Sequence, residues 1–274
     1  MPPITLRVKL LTHTPDALPL IYAAFRQCYH AGFVGDMWDR LLAGEIEPDK
    51  QAAFVTKVLA SGHDSPIEHV SFSFAVDGVS RALTHQLVRH RIASYSQQSQ
   101  RYVNESEFDF VVPPRIARLP EARERFAAFM AECAAAYRDL RGLLEASGRT
   151  GAKANEDARF VLPQAAESKI VVTMNCRALL HFFELRLCER AQWEIRALAA
   201  AMRELCAQAL PVIFAAAGPK CVRLGYCPES AEFSCGKYPP LPAAPAKPAR
   251  GATGSGPAAR GRKNAVTSKK TGRS

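Results

Sequence analysis

Leu18, Ile21, Tyr22 and Phe25 recur at helical spacing in DALPLIYAAFRQC (16–28), and KQAAFVTKVLAS (50–61) repeats that period. The period then drops to two. In HVSFSFAVD (69–77), Val70, Phe72, Phe74 and Val76 share one side and Ser71, Ser73 and Ala75 the other, which predicts a strand with one apolar face, ended by Gly78. SRALTHQLVRHR (80–91) returns to helical spacing through Leu83 and Leu87, YSQQSQ (95–100) loses it and reads as loop, and FDFVV (108–112) predicts a short strand stopped by Pro113 and Pro114. A long amphipathic helix is expected from Pro120 to about Ser147, with Pro and Glu in its first turn. SKIVVTM (168–174) reads as a buried strand. Asn175 then stands as the N-cap of a helix over CRALLHFFELRLC, and another helix is expected from about Ala191 to Ala217, before Gly218 and Pro219. Helices and strands mix without regular βαβ alternation. That predicts an α+β fold, with a small antiparallel-containing sheet in a single domain.

Composition changes this picture in one place. Hydrophobic residues make up 48% and charged residues 23% of 274, ordinary for a chain with one substantial core, and no apolar run is long enough to span a bilayer. The start, MPPITLRVKLLTHTPDALPL, lacks the apolar centre and small-residue cleavage site of a secretory leader, so a cytoplasmic location is expected. The net charge is +10, but residues 241–274 hold eight Lys or Arg and no acid, which leaves the first 240 residues at +2. The expected organisation is a domain over residues 1–240 and a disordered basic tail over 241–274, rich in Pro, Ala, Gly and Ser. The eight cysteines are expected to be reduced.

The chain has no GxGxxG and no GxxxxGK[ST], so a nucleotide would have to be held by side chains. RHRIASYSQQSQRY (89–102) supplies candidates. Arg89, His90, Arg91 and Arg101 surround hydroxyl and amide side chains with no acid among them. On a helix Gln86 shares a face with Arg89 and His90. Such a set suits a phosphate joined to a flat polar ring; it also suits a solvated basic helix end. Arg159 and the helix NCRALLHFFELR form a second set. Arg177, His181 and Glu184 fall on one face and Arg186 on the opposite one, which fits two ligands or a plain Arg177–Glu184 face. In GHDSPIEH (62–69), His63, Asp64, Glu68 and His69 match no metal-ligand spacing, so a turn or a polar ligand contact is read there. Cys221, Cys227 and Cys235 cluster without a local fourth ligand or a CxxC knuckle, and no metal is assigned.

Arg89, His90, Arg91 and Ser99, in R-H-R-x7-S spacing and continued by Arg101 and Tyr102, resemble the signature of the flavin-dependent thymidylate synthases. The resemblance takes in GHDSPIEH upstream. Downstream it takes in Leu162-Pro163, Asn175-Cys176-Arg177, Leu185-Arg186 and Gln192-Trp193-Glu194, so it spans residues 62 to about 195. It implies FAD held through Ser65, Arg89, His90, Arg91, Gln97, Asn175, Arg177 and His181. It implies dUMP held through Gln86, Arg89, Gln97, Gln98, Ser99, Gln100, Arg101, Arg159 and Arg186, with His63 near flavin and folate. The implied reaction methylates dUMP to dTMP, with 5,10-methylenetetrahydrofolate as carbon donor and NADPH as hydride source by way of FAD. Arg186 is the implied catalytic group, favouring ionisation at uracil N3 without an enzyme thiolate. Ser99 lacks a neighbouring base and is read as a binding group. The resemblance also implies a homotetramer with sites shared between chains.

The chain departs from the family pattern at Ser96-Gln97, where Asn-Glu commonly stands, at His181 for Asn, and at Arg190 for His. Gln97 lacks the anionic acceptor of a Glu, whereas His181 and Arg190 keep donors. Two rival expectations remain: a flavoprotein of the same fold acting on another pyrimidine nucleotide, and a basic nucleic-acid-binding protein using the Arg89–Arg91 run and the tail, with steep salt dependence.

Overall fold

The computed structural model of the protein describes residues 4–242. The expected basic tail over 241–274 lies almost wholly outside the described residues. The order of elements is β1 (Arg7–His13), α1 (Ala17–Tyr29), α2 (Gly35–Leu42), α3 (Pro48–Ala60), a 3-10 turn (Ser65–His69), β2 (Ser71–Ser80), α4 (Arg81–Leu87) and β3 (Ala93–Gln97). There follow α5 (Pro114–Ala117), α6 (Pro120–Ala146), α7 (Ala152–Ala158), β4 (Glu167–Asn175), α8 (Cys176–Arg186), α9 (Trp193–Ala209), α10 (Pro211–Phe214) and α11 (Lys220–Leu224).

The four strands make one antiparallel sheet in the order β1-β2-β4-β3. This is the mixed α+β architecture read from the patterning. Its centre is the pairing of Phe72 with Met174, Phe74 with Val172 and Val76 with Ile170, all buried. Because side chains alternate, the opposite face carries Ser73 and Thr173, whose hydroxyls meet at 2.7 Å. The apolar face shares one core with Ile21 and Phe25 of α1, Val55 of α3, Phe182 and Phe183 of α8, Met202 of α9 and Phe214 of α10. Phe214 stands edge-on to both Phe72 and Phe183.

Several local expectations are corrected. Gly78 does not end β2. It sits at φ +71 inside the strand, where the register with β4 shifts between Val76 and Val79. A Cβ there would stand 2.2 Å from the Thr5 carbonyl oxygen, so glycine is required both for the backbone and for the close approach. ASYSQ is a strand, not loop: β3 pairs with β4 from Ala93 opposite Met174 to Gln97 opposite Ile170. FDFVV makes only an isolated bridge, Phe110 with Ala166. The helix expected from Ala191 to Ala217 is broken, because Pro211 lacks the N–H that would continue it, and α10 restarts there. α6 runs as expected, but only Met130, Cys133, Ala134 and Tyr137 are buried along its 27 residues.

Candidate active site

The Arg89–Arg91 run is aimed by a junction of three elements. Ser80, the last residue of β2, caps α4 by accepting from the Leu83 N–H at 3.0 Å. Glu194, in the first turn of α9 and buried, accepts the Ser80 N–H at 2.7 Å and its hydroxyl at 2.6 Å. α4 stops at Leu87, so Arg89, His90 and Arg91 lie beyond the helix rather than at its end. The chain tightens there through Arg89 N–H to Gln86 C=O (3.3 Å) and His90 N–H to Leu87 C=O (3.0 Å). Tyr95 of β3 braces this turn. Its hydroxyl lies 2.8 Å from the Leu87 carbonyl and 3.0 Å from that of His90, and burial pushes the phenol up to about 12.

His90 is 8% exposed and stands edge-on to Phe182. Its Nε2 accepts from Arg186 Nε–H at 2.8 Å. Burial, then the nearby Arg186 charge, then His181, bring its pKa down to about 4. A neutral imidazole is what the hydrogen bond requires, since only an unprotonated ring nitrogen accepts. The last turn of α8 and the turn after α4 are thereby tied together.

A cavity of about 350 Å³ opens beside them, lined by Glu68, Arg91, Ile92, Asn175, Arg177 and His181. Asn175 caps α8 as expected, accepting from the Ala178 N–H at 2.8 Å. Arg177 does not pair with Glu184. It binds Glu68 and reaches Asp64 at 3.4 Å, so the 62–69 turn is clamped to α8. Ser65 is exposed at the start of that turn, and the Tyr29 hydroxyl lies 2.7 Å from His63 Nδ1. Glu184, in phase with Arg177 but two turns along, pairs with Arg223 at 2.7 Å.

A further set gathers around the loop after β3. Gln97 points inward, donating to Thr84 Oγ1 at 3.0 Å and to Ser168 Oγ at 2.8 Å; Ser96 faces outward. Gln98 donates to buried Glu105 at 3.2 Å, and burial raises the Glu105 pKa. Ser99 Oγ accepts the Arg101 N–H at 3.2 Å. The Arg101 guanidinium meets Glu156 at 2.9 Å, while Asn155 donates to the Arg101 carbonyl at 3.1 Å. Arg159 lies near Arg81, whose own pKa falls first through burial and then through the Arg159 charge. Gln86 and Gln100 are half-buried and Arg89 is exposed. Among the described residues, no hydrogen bond or ion pair joins the Arg101 and Arg159 set to the Arg91, Arg177 and His181 set.

The family model described as thymidylate synthase complementing protein matches residues 9–212. The chain belongs to that family. A flavin-dependent thymidylate synthase of Nitratidesulfovibrio vulgaris is 69% identical over 239 residues, covering 87% of this chain and 98% of that one. One from Geobacter sulfurreducens is 48% identical over 234 residues (85% and 94%), and one from Pyrococcus abyssi 46% over 233 (81% and 89%).

For this member of the thymidylate synthase complementing family, the sequence reading missed several groups that hold the implicated ones. Tyr29 meets His63, Tyr95 braces the Arg89–Arg91 turn and Asn155 anchors Arg101, while Glu194, named in the Gln192-Trp193-Glu194 match without a role, proves to fix the start of α4. Only Asp64 and Glu68 carried a local signal, being four residues apart beside the turn.

Proposed function

We propose that the chain makes dTMP from dUMP, with 5,10-methylenetetrahydrofolate giving the carbon and NADPH the hydride by way of FAD. The observation that carries this reading is the meeting of Arg91, Asn175, Arg177 and His181 around one cavity, in a chain of this family. Glu68 shares the cavity and, with Asp64, holds Arg177, which leaves the Arg91 guanidinium, the His181 imidazole and the Asn175 amide to suit an anionic cofactor with a polar flat ring, so the residues fit FAD. Ser65, Arg89, His90 and Gln97 complete the set that would hold it. Bound FAD supplies two-electron chemistry, relaying hydride from NADPH.

The chain's own residues bind, orient and stabilise charge. Uracil C5 is a poor nucleophile until electron density enters the ring. With Nε–H committed to His90, Arg186 is held in one orientation and its terminal nitrogens are left to face N3 and O2 as negative charge develops there. Gln86, Arg89, Gln97, Gln98, Ser99, Gln100, Arg101 and Arg159 would hold the nucleotide, and His63, oriented by Tyr29, stands toward flavin and folate. Ser99 is a binding group: its oxygen accepts a backbone N–H and no base adjoins it. No thiol is required.

The two separate arginine sets support a homotetramer in which one chain's Arg101 and Arg159 complete a site begun by another's Arg91 and Arg177. Ile92 and Phe160, each 84% exposed beside these sets, gain shelter at such interfaces.

The test is tritium release from C5-labelled dUMP, dependent on both NADPH and methylenetetrahydrofolate. Arg186→Ala should lower turnover by about 10²–10³ while circular dichroism stays unchanged. Colourless protein without tritium release, or release from a different pyrimidine nucleotide only, overturns the reading.

A further inference from the structure

Beyond Phe214 the chain contributes almost nothing to the core: among the described residues, Cys227, 6% exposed, is the single buried residue after that point. Residues 215–241 nevertheless follow a defined path. They form α11, turns at Gly225 and Gly236 with positive φ, and a backbone closure in which Cys227 N–H donates to the Pro239 carbonyl at 2.7 Å. The side-chain ties back to the body are the ion pairs Arg223–Glu184, Arg190–Glu229 and Lys237–Glu189 and the Arg190 guanidinium over the Phe233 ring. Such exposed pairs are each worth about 0–1 kcal/mol. A segment without a core of its own ordinarily needs a staple, a disulfide or a metal.

The thiols for a staple are present. Cys221, Cys227 and Cys235 were close in sequence but lacked a fourth partner, and the fold supplies it from the residues just after α8. Cys188, Cys221, Cys227 and Cys235 line one cavity of about 320 Å³, and all four are free thiols. We propose that these four cysteines form a closed tetrahedral zinc site that fastens residues 215–241 to the end of α8. This departs from the expectation of no metal.

Three physical points carry it. Four thiolates are the donor set of structural zinc. Four thiolates with Zn²⁺ carry a net charge of −2; Glu184 and Glu229 on the same cavity are already paired with Arg223 and Arg190, which leaves Lys220 as a cation of the lining free to offset it. The thiols also belong to separate segments whose backbones are already folded around that cavity. Among the described residues no three such side chains yet stand around one point at ligand distance. Site closure therefore proceeds by side-chain rotation and by inward movement of exposed Cys235, as expected where metal binding and local folding are coupled.

The test uses full-length, untagged protein purified without chelator. Elemental analysis should find about one zinc per chain that survives dialysis. Growth with cobalt should replace it and give thiolate-to-cobalt charge transfer plus d–d bands at longer wavelength than oxidised flavin absorbs. Mass-spectrometric thiol mapping should find exposed Cys28 labelled at once and the four cysteines protected until a chelator is added. Cys227→Ser and Cys235→Ser should each lower metal content at least about tenfold, with Cys28→Ser leaving it unchanged. Metal-free protein in which Cys221 and Cys235 label as fast as Cys28 overturns the proposal. So does iron with inorganic sulfide in place of zinc, or a disulfide within the cluster.

Discussion

The hydrogen bond from Arg186 to His90 makes a quantitative demand on pH. His90 titrates near 4 in the folded chain and near its ordinary 6.5 when unfolded. Its folded value is depressed, so between these limits the unfolded chain binds the extra proton. The neutral ring's contribution is fully present above about pH 6.5 and lost as pH falls through about 4. That depression is worth roughly 3 kcal/mol, of which roughly 2 are lost by about pH 5. His90→Gln keeps a neutral acceptor for Arg186 and removes the titration. Urea unfolding of the two proteins, at one protein and one flavin concentration, should be run at about pH 7 and about pH 5. The parent should lose roughly 2 kcal/mol more than the variant across that interval. Parallel losses would mean that His90 is not held neutral by its surroundings and that the contact to Arg186 is not the acceptor bond described.

Three further outcomes are expected. Gln97→Glu keeps the shape but lets Thr84 and Ser168 donate to a carboxylate, so FAD titration should give a dissociation constant changed at least about threefold, and an unchanged one would place Gln97 outside the flavin set. Glu194→Gln replaces one of two accepting oxygens facing Ser80 with a donor and should cost about 1–3 kcal/mol in chemical denaturation; no loss would remove its role at the start of α4. Tyr95→Phe frees the carbonyls of Leu87 and His90, and should raise KM for dUMP or weaken FAD binding with little loss of melting temperature. A pure stability loss would make the brace merely structural.

Elements with a strong period were legible. The alternation through Phe72 and Phe74 and the Asn175 cap read directly as β2 and the start of α8, because local pattern and tertiary burial agree there. β3 was not legible. Its polar ASYSQ run is an edge strand, alternately half-buried and exposed, and specified by its partner Ile170–Met174 rather than by its own apolar period. β1 was missed for a related reason: RVKLLTH breaks its alternation at Leu11, where the pairing with β2 also shifts. At the site, residue types were legible and connections were not. Arg177 meets Glu68 across 109 residues and Arg186 meets His90 across 96, separations over which no local spacing rule operates. The phase argument that Arg177 and Arg186 face different ways survives, since they line different cavities.

One hydroxyl, that of Ser80, accepts from the α4 backbone while donating to a carboxylate 114 residues away. Local helix initiation and long-range docking of α9 are therefore one cooperative event, not two. Amide exchange in the first turn of α4 should report whether α9 is seated, so a mutation far down α9 can loosen the arginines without touching them.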